Sequence, residues 1–304
     1  MHGNLLDSIG NTPLVRLDSL SPEPGVSIWG KLELCNPTGS IKDRIALRMI
    51  EDAEARGDLT REMTIIEATS GNTGISLGMV CALKGYQCNL LMSEAKSIER
   101  RFMLRYWGCD LTLTSADDHD SAIKAARELA LSGGDDLFYI NQNENQENVA
   151  AHREGTGREI VAALEGKVDA VIAGFGTGGT LMGMAEALKE AGVSAPVISI
   201  EPVTDESRID GIMRSNGGHF MPTIYDADLV DEIVRVEDRE AIVTTQLLAR
   251  QEGVFAGLSS GAAVFAAIEL AKRMKKGNIV AVIADRAERY FSTPLFDEAK
   301  ANDI

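Results

Sequence analysis

The stretch AVIAGFGTGGTLMGMAEALKEAGVSAPVISIE, residues 170–201, decides the fold class. A β-branched run from Ala170 to Ala173 leads into a glycine-rich loop. An Ala- and Leu-rich segment of helical period follows from Thr180 to Ala191, then a second β-branched run from Val197 to Ile200. A strand that returns to a parallel neighbour through a helix is the unit of an open α/β sheet, whose ligands sit beyond the carboxyl ends of the strands. The loop Gly174-Phe175-Gly176-Thr177-Gly178-Gly179 satisfies GxGxxG, and Glu201 closes the next strand, so alone this segment spells a dinucleotide site. The physics is broader, because small residues let backbone N–H groups at a helix N-terminus approach any phosphate. A tight turn that binds nothing is the plain alternative.

The same alternation extends in both directions. Strands are expected at 26–34, 64–68, 89–92, 111–114, 138–140 and 279–283, and helices at 41–54, 74–84, 97–106, 119–131, 155–164, 237–251 and 262–275. The polar run NQNENQEN, 141–148, reads either as a crossing between domains or as a solvated loop. At about 150 residues per domain, the 304 residues suit two domains or one large one. Apolar residues at 44% and charged residues at 25% are those of a folded globular chain. Forty-six acidic against 30 basic side chains leave a net charge of −16, which repels nucleic acid and anionic membrane surfaces, so neither is an expected partner. No run approaches the roughly 18 apolar residues of a membrane span, and MHGNLLDSIG at the start is no signal sequence, so a cytoplasmic location is expected. Cys35, Cys81, Cys88 and Cys109 show no CxxC spacing and read as reduced thiols, mostly packed as small hydrophobes. His2, His119, His152 and His219 show no ligand pairing, so no metal site is expected.

Two further loops and one lysine complete the candidate chemistry. Thr69-Ser70-Gly71-Asn72-Thr73-Gly74 opens a helix with hydroxyls, an amide and backbone donors that suit a carboxylate, although a helix cap needs only one of them. Gly257-Leu258-Ser259-Ser260-Gly261 fits GxSxG, but no histidine follows it in the chain to serve as a base, so the hydrolase reading fails on order. What remains for that segment is a glycine-rich turn or a hydroxyl that meets a cofactor. Lys42, in NPTGSIKDR (36–44), falls in the first turn of an expected helix, where the positive end of the dipole lowers its pKa and primes it for imine chemistry. A solvated lysine between Asp43 and Glu51 is the ordinary reading of the same residue.

Taken together, GNTPLVRL (10–17), NPTGSIKDR (36–44), EATSGNTGISLG (67–78), GTGGTLMG (176–183), GLSSGAA (257–263) and RYFST (289–293) resemble the cysteine synthase family, the O-acetylserine sulfhydrylases, over nearly the whole chain and in order. The resemblance implies a two-domain α/β enzyme of the fold type II, tryptophan synthase β-like group, with parallel sheets flanked by helices and pyridoxal 5′-phosphate as cofactor. It implies a smaller mobile domain at 36–145 and a larger cofactor-binding domain from 1–35 plus 146–304. By the same likeness Lys42 bonds the cofactor and moves the substrate α-proton. Gly176, Thr177, Gly178, Gly179 and Thr180 hold the phosphate, Asn72 meets the 3′-oxygen, and Ser259 faces the pyridine nitrogen. Thr69, Ser70, Thr73 and Gln142 match the contacts to the substrate carboxylate. The implied reaction takes an O-activated L-serine, eliminates its β-substituent and adds a sulfur nucleophile such as sulfide to give L-cysteine. Serine acetyltransferase or a sulfur-carrier protein is a further implied partner, and a homodimer is the implied assembly.

The chain departs from the family pattern after Gln142, where Gly155 and Arg158 stand in place of the usual threonine and proline. Ala287 replaces a common glycine, and Asp285-Arg286 looks closer to the B-type branch. Arg214 lies where some relatives that use O-phosphoserine carry an arginine, and a guanidinium pairs phosphate bidentately while offering an acetyl ester little. Cystathionine β-synthase or dehydratase activity, an NAD-dependent oxidoreductase built on 174–179 and Glu201, and a silent relative that only binds a partner are the rival readings.

Overall fold

The computed structural model describes residues 3–116, 118, 120–218 and 220–296. Among these, the strands sort into two sheets. Strands β1 (Leu14–Arg16), β2 (Val26–Leu32), β7 (Ala170–Gly174), β8 (Val197–Pro202), β9 (Glu232–Val236) and β10 (Gly277–Ile283) form a six-stranded sheet in the order β1-β2-β10-β7-β8-β9. It is parallel except for the antiparallel edge pair β1 and β2. Strands β3 (Thr64–Ala68), β4 (Gln87–Ser93), β5 (Asp110–Thr114) and β6 (Leu137–Tyr139) make an all-parallel sheet in the order β5-β4-β3-β6.

Crossover helices explain the pattern. Helices α1 (Lys42–Arg56), α2 (Asn72–Lys84), α3 (Ile98–Tyr106) and α4 (Ser121–Ser132) connect or flank the smaller sheet; α7 (Gly179–Glu190), α8 (Asp238–Glu252) and α9 (Leu258–Ala271) do so for the larger. Every residue of β8 and the last five of β10 are buried, as expected for parallel strands covered on both faces. Two clusters fill the layers on either side of the larger sheet, one around Ile28, Ile198 and Ile279, the other around Phe175, Leu181 and Val280. A third, around Ile45, Met49, Ile65 and Leu90, includes Cys81, Cys88 and Cys109 and packs the smaller sheet against its helices. Cys35 is exposed.

Several sequence expectations shift. The helix expected at 155–164 begins earlier, as α5 (Glu147–Ala151), passes through a π-turn at His152–Gly157, and ends as α6 (Arg158–Ala163). Glycines 155 and 157 weaken the helical signal, yet close packing requires them: a Cβ on Gly157 would stand 2.5 Å from that of Ala187, and one on Gly155 would stand 2.6 Å from Arg44 Nη1. The run 141–148 is not a solvated loop, because Gln142, Asn143 and Asn148 are buried. Its amides satisfy backbone and side-chain groups in the interior, which composition alone does not reveal. Helix α9 starts at Leu258 instead of Ala262, placing Ser259 and Ser260 in its first turn. Strands β1 and β9 went unpredicted; β1 is three residues long and β9 is an edge strand that exposes Ile233. His2, His119 and His219 lie outside the described residues.

Helix α7 meets the π-turn at Gly183, where an added Cβ would come within 2.5 Å of His152 Cβ, 2.6 Å of Arg153 N and 2.7 Å of Val149 O. Two of those atoms are backbone and cannot rotate away. Gly183→Val is expected to destabilise the fold by about 1–3 kcal/mol, read as a lowered urea midpoint with an unchanged slope.

Candidate active site

Lys42 opens α1 at the carboxyl edge of the larger sheet. The loop before it is pinned by the hydrogen bond from Ile41 N to Ala284 O at 2.8 Å and by a bridge between Ser40 and Asp285. Asp43 accepts from Thr38 N at 2.7 Å, from Ser76 Oγ at 2.5 Å and from Thr38 Oγ1, which locks the turn that presents its neighbour. Lys42 lines a cavity of about 310 Å³. Among the described residues its ammonium has no hydrogen-bond or ion-pair partner. Burial lowers its pKa from 10.5 to about 8, against the opposing charge of Asp285. Desolvation is thus a cause of the lowered basicity that the position in the first helical turn did not reveal.

The second wall comes from the loop between β3 and α2. Thr69 Oγ1 accepts from Gly71 N and Gly74 N at 2.9 and 3.0 Å, so this hydroxyl caps the helix, while Ser70, Asn72 and Thr73 also line the cavity. Thr73 Oγ1 donates to Gln142 Oε1 at 2.7 Å, and Gln142 Nε2 donates to Ala68 O at 3.0 Å and to Glu67 Oε1 at 3.3 Å. Glu67 sits inside the quoted motif EATSGNTG, but nothing in its sequence context marks it as the residue that orients Gln142. Burial raises its pKa to about 8, although hydrogen bonds from Gln142 oppose the rise.

The third wall is the loop between β7 and α7. Gly176, Thr177, Gly178 and Thr180 line the cavity, whereas Gly179 is buried against Asn148. Gly178 has φ +86° and a Cβ there would lie 3.0 Å from the Tyr225 ring, so only glycine suits the bend that aims the α7 N-terminus inward. Asn148 Nδ2 donates to Thr177 Oγ1 at 3.0 Å and to Gln142 O at 2.8 Å, tying this loop to the second wall. His152 Nε2 lies 3.3 Å from Thr180 Oγ1, with its Nδ1 3.0 Å from Thr156 Oγ1. Burial, reinforced by the charges of Lys42 and Arg44, holds His152 well below its ordinary pKa, so the ring is neutral.

Ser259 completes the cavity from the first turn of α9, and Ser260 Oγ instead accepts from Ala284 N at 3.0 Å. Across the mouth, Arg100 and Lys96 from the smaller-sheet side pair Asp210 at 2.8 and 2.9 Å. Arg214 also lines the mouth, 3.6 Å from Asp205, with its Nε buried and unpartnered. The residues singled out in the three loops, together with Lys42, Gln142, Arg214 and Ser259, thus surround one cavity, Gly179 lying just behind its wall. Glu67, Asn148, His152, Asp285 and Arg289 were not singled out as site residues, because each acts through a neighbour. Glu201 is buried at the end of β8, away from the cavity lining. Among the described residues no group of three His, Cys, Asp or Glu could hold a metal, and no helix is long and apolar enough to cross a membrane.

The model of the pyridoxal-phosphate dependent enzymes matches residues 5–285. Cysteine synthase B of Salmonella typhimurium is 41% identical over 97% of this chain and 96% of its own. The chain belongs to the cysteine synthase family of pyridoxal-phosphate dependent enzymes. Among solved structures, O-ureido-L-serine synthase superposes on this family member with a TM-score of 0.92 at 37% identity, covering 98% of this chain and 96% of the other. Cysteine synthase from Entamoeba histolytica superposes with a TM-score of 0.91 at 34% identity, over 98% and 91% of the two chains.

The family's cofactor is pyridoxal phosphate, and the cavity fits it. An unpartnered amine stands at one wall and a helix N-terminus at another. Gly176 and Gly178 line the cavity with bare backbone, and a Cβ on Gly176 would stand 2.6 Å from Gly211 O, so no side chain screens the backbone amides there.

Because imine formation needs the free amine, uptake of pyridoxal phosphate by apoprotein is expected to speed up with rising pH through a midpoint near 8. Stopped-flow absorbance reads this rate. The accompanying stability effect has the opposite sign to a salt bridge: in the folded apoprotein Lys42 is neutral above about 8 while the unfolded chain stays charged to 10.5. Stability therefore rises across that window, and below it the full cost of burying the ammonium is present.

Proposed function

We propose that this protein makes L-cysteine by β-replacement, from an O-activated L-serine and a sulfur nucleophile such as sulfide. The observation that carries the reading is the unpaired, pKa-lowered Lys42 facing both the Thr69–Thr73 loop and the α7 N-terminus across one cavity. The cysteine synthases at 41% identity over almost the whole chain support it. Bound at Lys42, pyridoxal phosphate supplies the electron sink for breaking the substrate Cα–H bond.

The chain's own groups supply the rest. Lys42 would hold the cofactor, and its amine would carry the α-proton. Thr69, Ser70, Thr73 and Gln142 bind the substrate carboxylate, Gln142 by turning one Nε2 N–H from its 3.3 Å contact with Glu67 to the substrate while Ala68 O keeps the other. The Gly176–Thr180 loop and the α7 N-terminus would hold the cofactor's phosphate, and an Asn72 N–H would hold its 3′-oxygen. Ser259, which lines the cavity, would offer the cofactor ring a neutral hydroxyl, a weaker partner for its electron-sink chemistry than an aspartate, which favours elimination. Of residues 36–145, the part beyond the first turn of α1 moves over 1–35 and 146–304, closing on the carboxylate and excluding water, while residues 40–44 stay fastened to the larger sheet. The protein acts in the cytoplasm, as a homodimer, and offers its surface to serine acetyltransferase or a sulfur carrier; kinship with the family is what supports these points.

O-acetylserine is the donor this reading favours, because Lys96 and Arg100, the cations facing the mouth from the smaller sheet, are already committed to Asp210. The unpartnered Nε of Arg214 favours a second reading in which the donor is O-phosphoserine. Steady-state cysteine formation with each donor separates the two. With O-acetylserine as donor, Arg214→Met should leave kcat/KM within about twofold; a phosphoserine enzyme would lose tenfold or more with its own donor, the range of a lost charged hydrogen bond. Lys42→Ala is expected to abolish turnover with the fold retained, read by circular dichroism and by loss of the borohydride-trapped peptide containing residue 42. A colourless protein that takes up no pyridoxal phosphate would overturn the proposal.

A further inference from the structure

Asn72 is gripped at both ends of its amide. Its Oδ1 accepts from Arg289 Nη1 at 2.6 Å, and its Nδ2 donates to Asp285 Oδ2, also at 2.6 Å. A side-chain amide has nearly the same shape either way round, so only its partners decide which end is oxygen. Here the partners leave no choice, because a guanidinium can only donate and a carboxylate can only accept. One N–H of Nδ2 is thereby used by Asp285 and the other is left for the cavity that Asn72 lines.

Both grips are themselves fixed. Arg289 is fully buried and its Nη2 donates to Thr38 O at 2.7 Å. Asp285 is 1% exposed; its Oδ2 also accepts from Tyr290 OH at 2.6 Å, and its backbone oxygen accepts from Gly257 N at 3.0 Å. A Cβ on residue 257 would stand 2.2 Å from Asp285 Oδ1, so the glycine admits the carboxylate. That Oδ1 is buried with no partner, an expense that packing alone does not explain. Among the described residues, the same carboxylate is the charge that opposes burial at Lys42.

We propose that Asp285 and Arg289 are positioning residues, which set the Asn72 amide so that its free N–H, and never its oxygen, faces the cofactor. Reversed, the amide would present Oδ1 to another oxygen and the contact would turn repulsive. The inference rests on the assignment of Asn72 to the cofactor made above.

The test compares holoprotein carrying Asp285→Ala, Asp285→Asn, Tyr290→Phe, Asn72→Ala and the Asp285→Ala/Asn72→Ala pair. It reads the visible absorption band of bound pyridoxal phosphate and the rate of cofactor release into dialysate. Asp285→Ala should shift the band and speed release by about tenfold or more, the scale of one hydrogen bond to a charged group. Asp285→Asn, which keeps the volume, should change both in the same direction by less. Tyr290→Phe removes the other bond to the carboxylate; it should lower the melting temperature and leave the band in place. In the Asn72→Ala background, loss of Asp285 should alter neither readout further. The inference fails if both Asp285 variants keep the wild-type band and release rate, or if Asp285→Ala acts undiminished without Asn72. A wild type that takes up no pyridoxal phosphate overturns the preceding reading and this one with it; a yellow wild type with indifferent Asp285 variants overturns this one alone.

Discussion

A largely buried set of four charges behind Lys42, three of them buried and Glu159 half-buried, holds the molecule's working parts in register. Arg44, two residues beyond Lys42, donates to Glu33 at 2.7 and 2.9 Å and to both oxygens of Glu159 at 2.7 Å, while Lys31 donates to Glu159 at 2.5 Å. Two cations and two carboxylates balance. Burial alone would raise the Glu159 carboxyl, yet Arg44 and Lys31 bring it down to about 2. Removing one member of such a set leaves an uncompensated buried charge, at a cost of about 3–5 kcal/mol.

Each charge sits on a different piece of chain. Lys31 belongs to β2, Glu33 to the turn after it, Arg44 to α1 and Glu159 to α6. The N-terminal segment joins through Thr12 Oγ1, which donates to Glu33 at 2.9 Å, and through Asn11 N, which donates to Glu159 at 2.9 Å. The first turn of α1 is thus fastened to the larger sheet although the rest of that helix packs in the core of the smaller one. Two lysines show what the arrangement achieves. Lys31 donates to Glu159 and to Thr12 O, whereas Lys42, eleven positions on, has no partner among the described residues and loses basicity to its burial. The protein satisfies one buried ammonium and leaves the other reactive.

Much of this was legible from the sequence because it is local. The alternation of β-branched runs with Ala-rich helical segments follows from covering parallel strands on both faces, so β7, α7 and β8 could be read directly from 170–201. The glycine loops could be read because a strand that turns at once into a helix needs small residues at the bend, and Gly178 at φ +86° is such a position. Where small or polar residues serve distant neighbours, reading failed. Gly155 and Gly157 look like helix breakers but make room for Arg44 and Ala187, and the Asn- and Gln-rich run at 141–148 looks solvated while Gln142 and Asn148 bond inward.

By itself the sequence determined the element types, the parallel α/β class, and the membership of Lys42, the Thr69–Thr73 loop, the Gly176–Thr180 loop and Ser259 in one familiar set of motifs. Those are properties of short windows, fixed by side-chain period, β-branching and the backbone freedom of glycine. Only the tertiary structure decided that burial is what lowers the Lys42 pKa, that Glu67 steadies Gln142, and that Asp285 and Arg289 hold Asn72 from opposite ends. Such effects depend on groups up to 217 positions apart meeting within hydrogen-bond distance where water is excluded. No periodicity along the chain encodes that distance, because it is set by how two sheets and their helices close on one another.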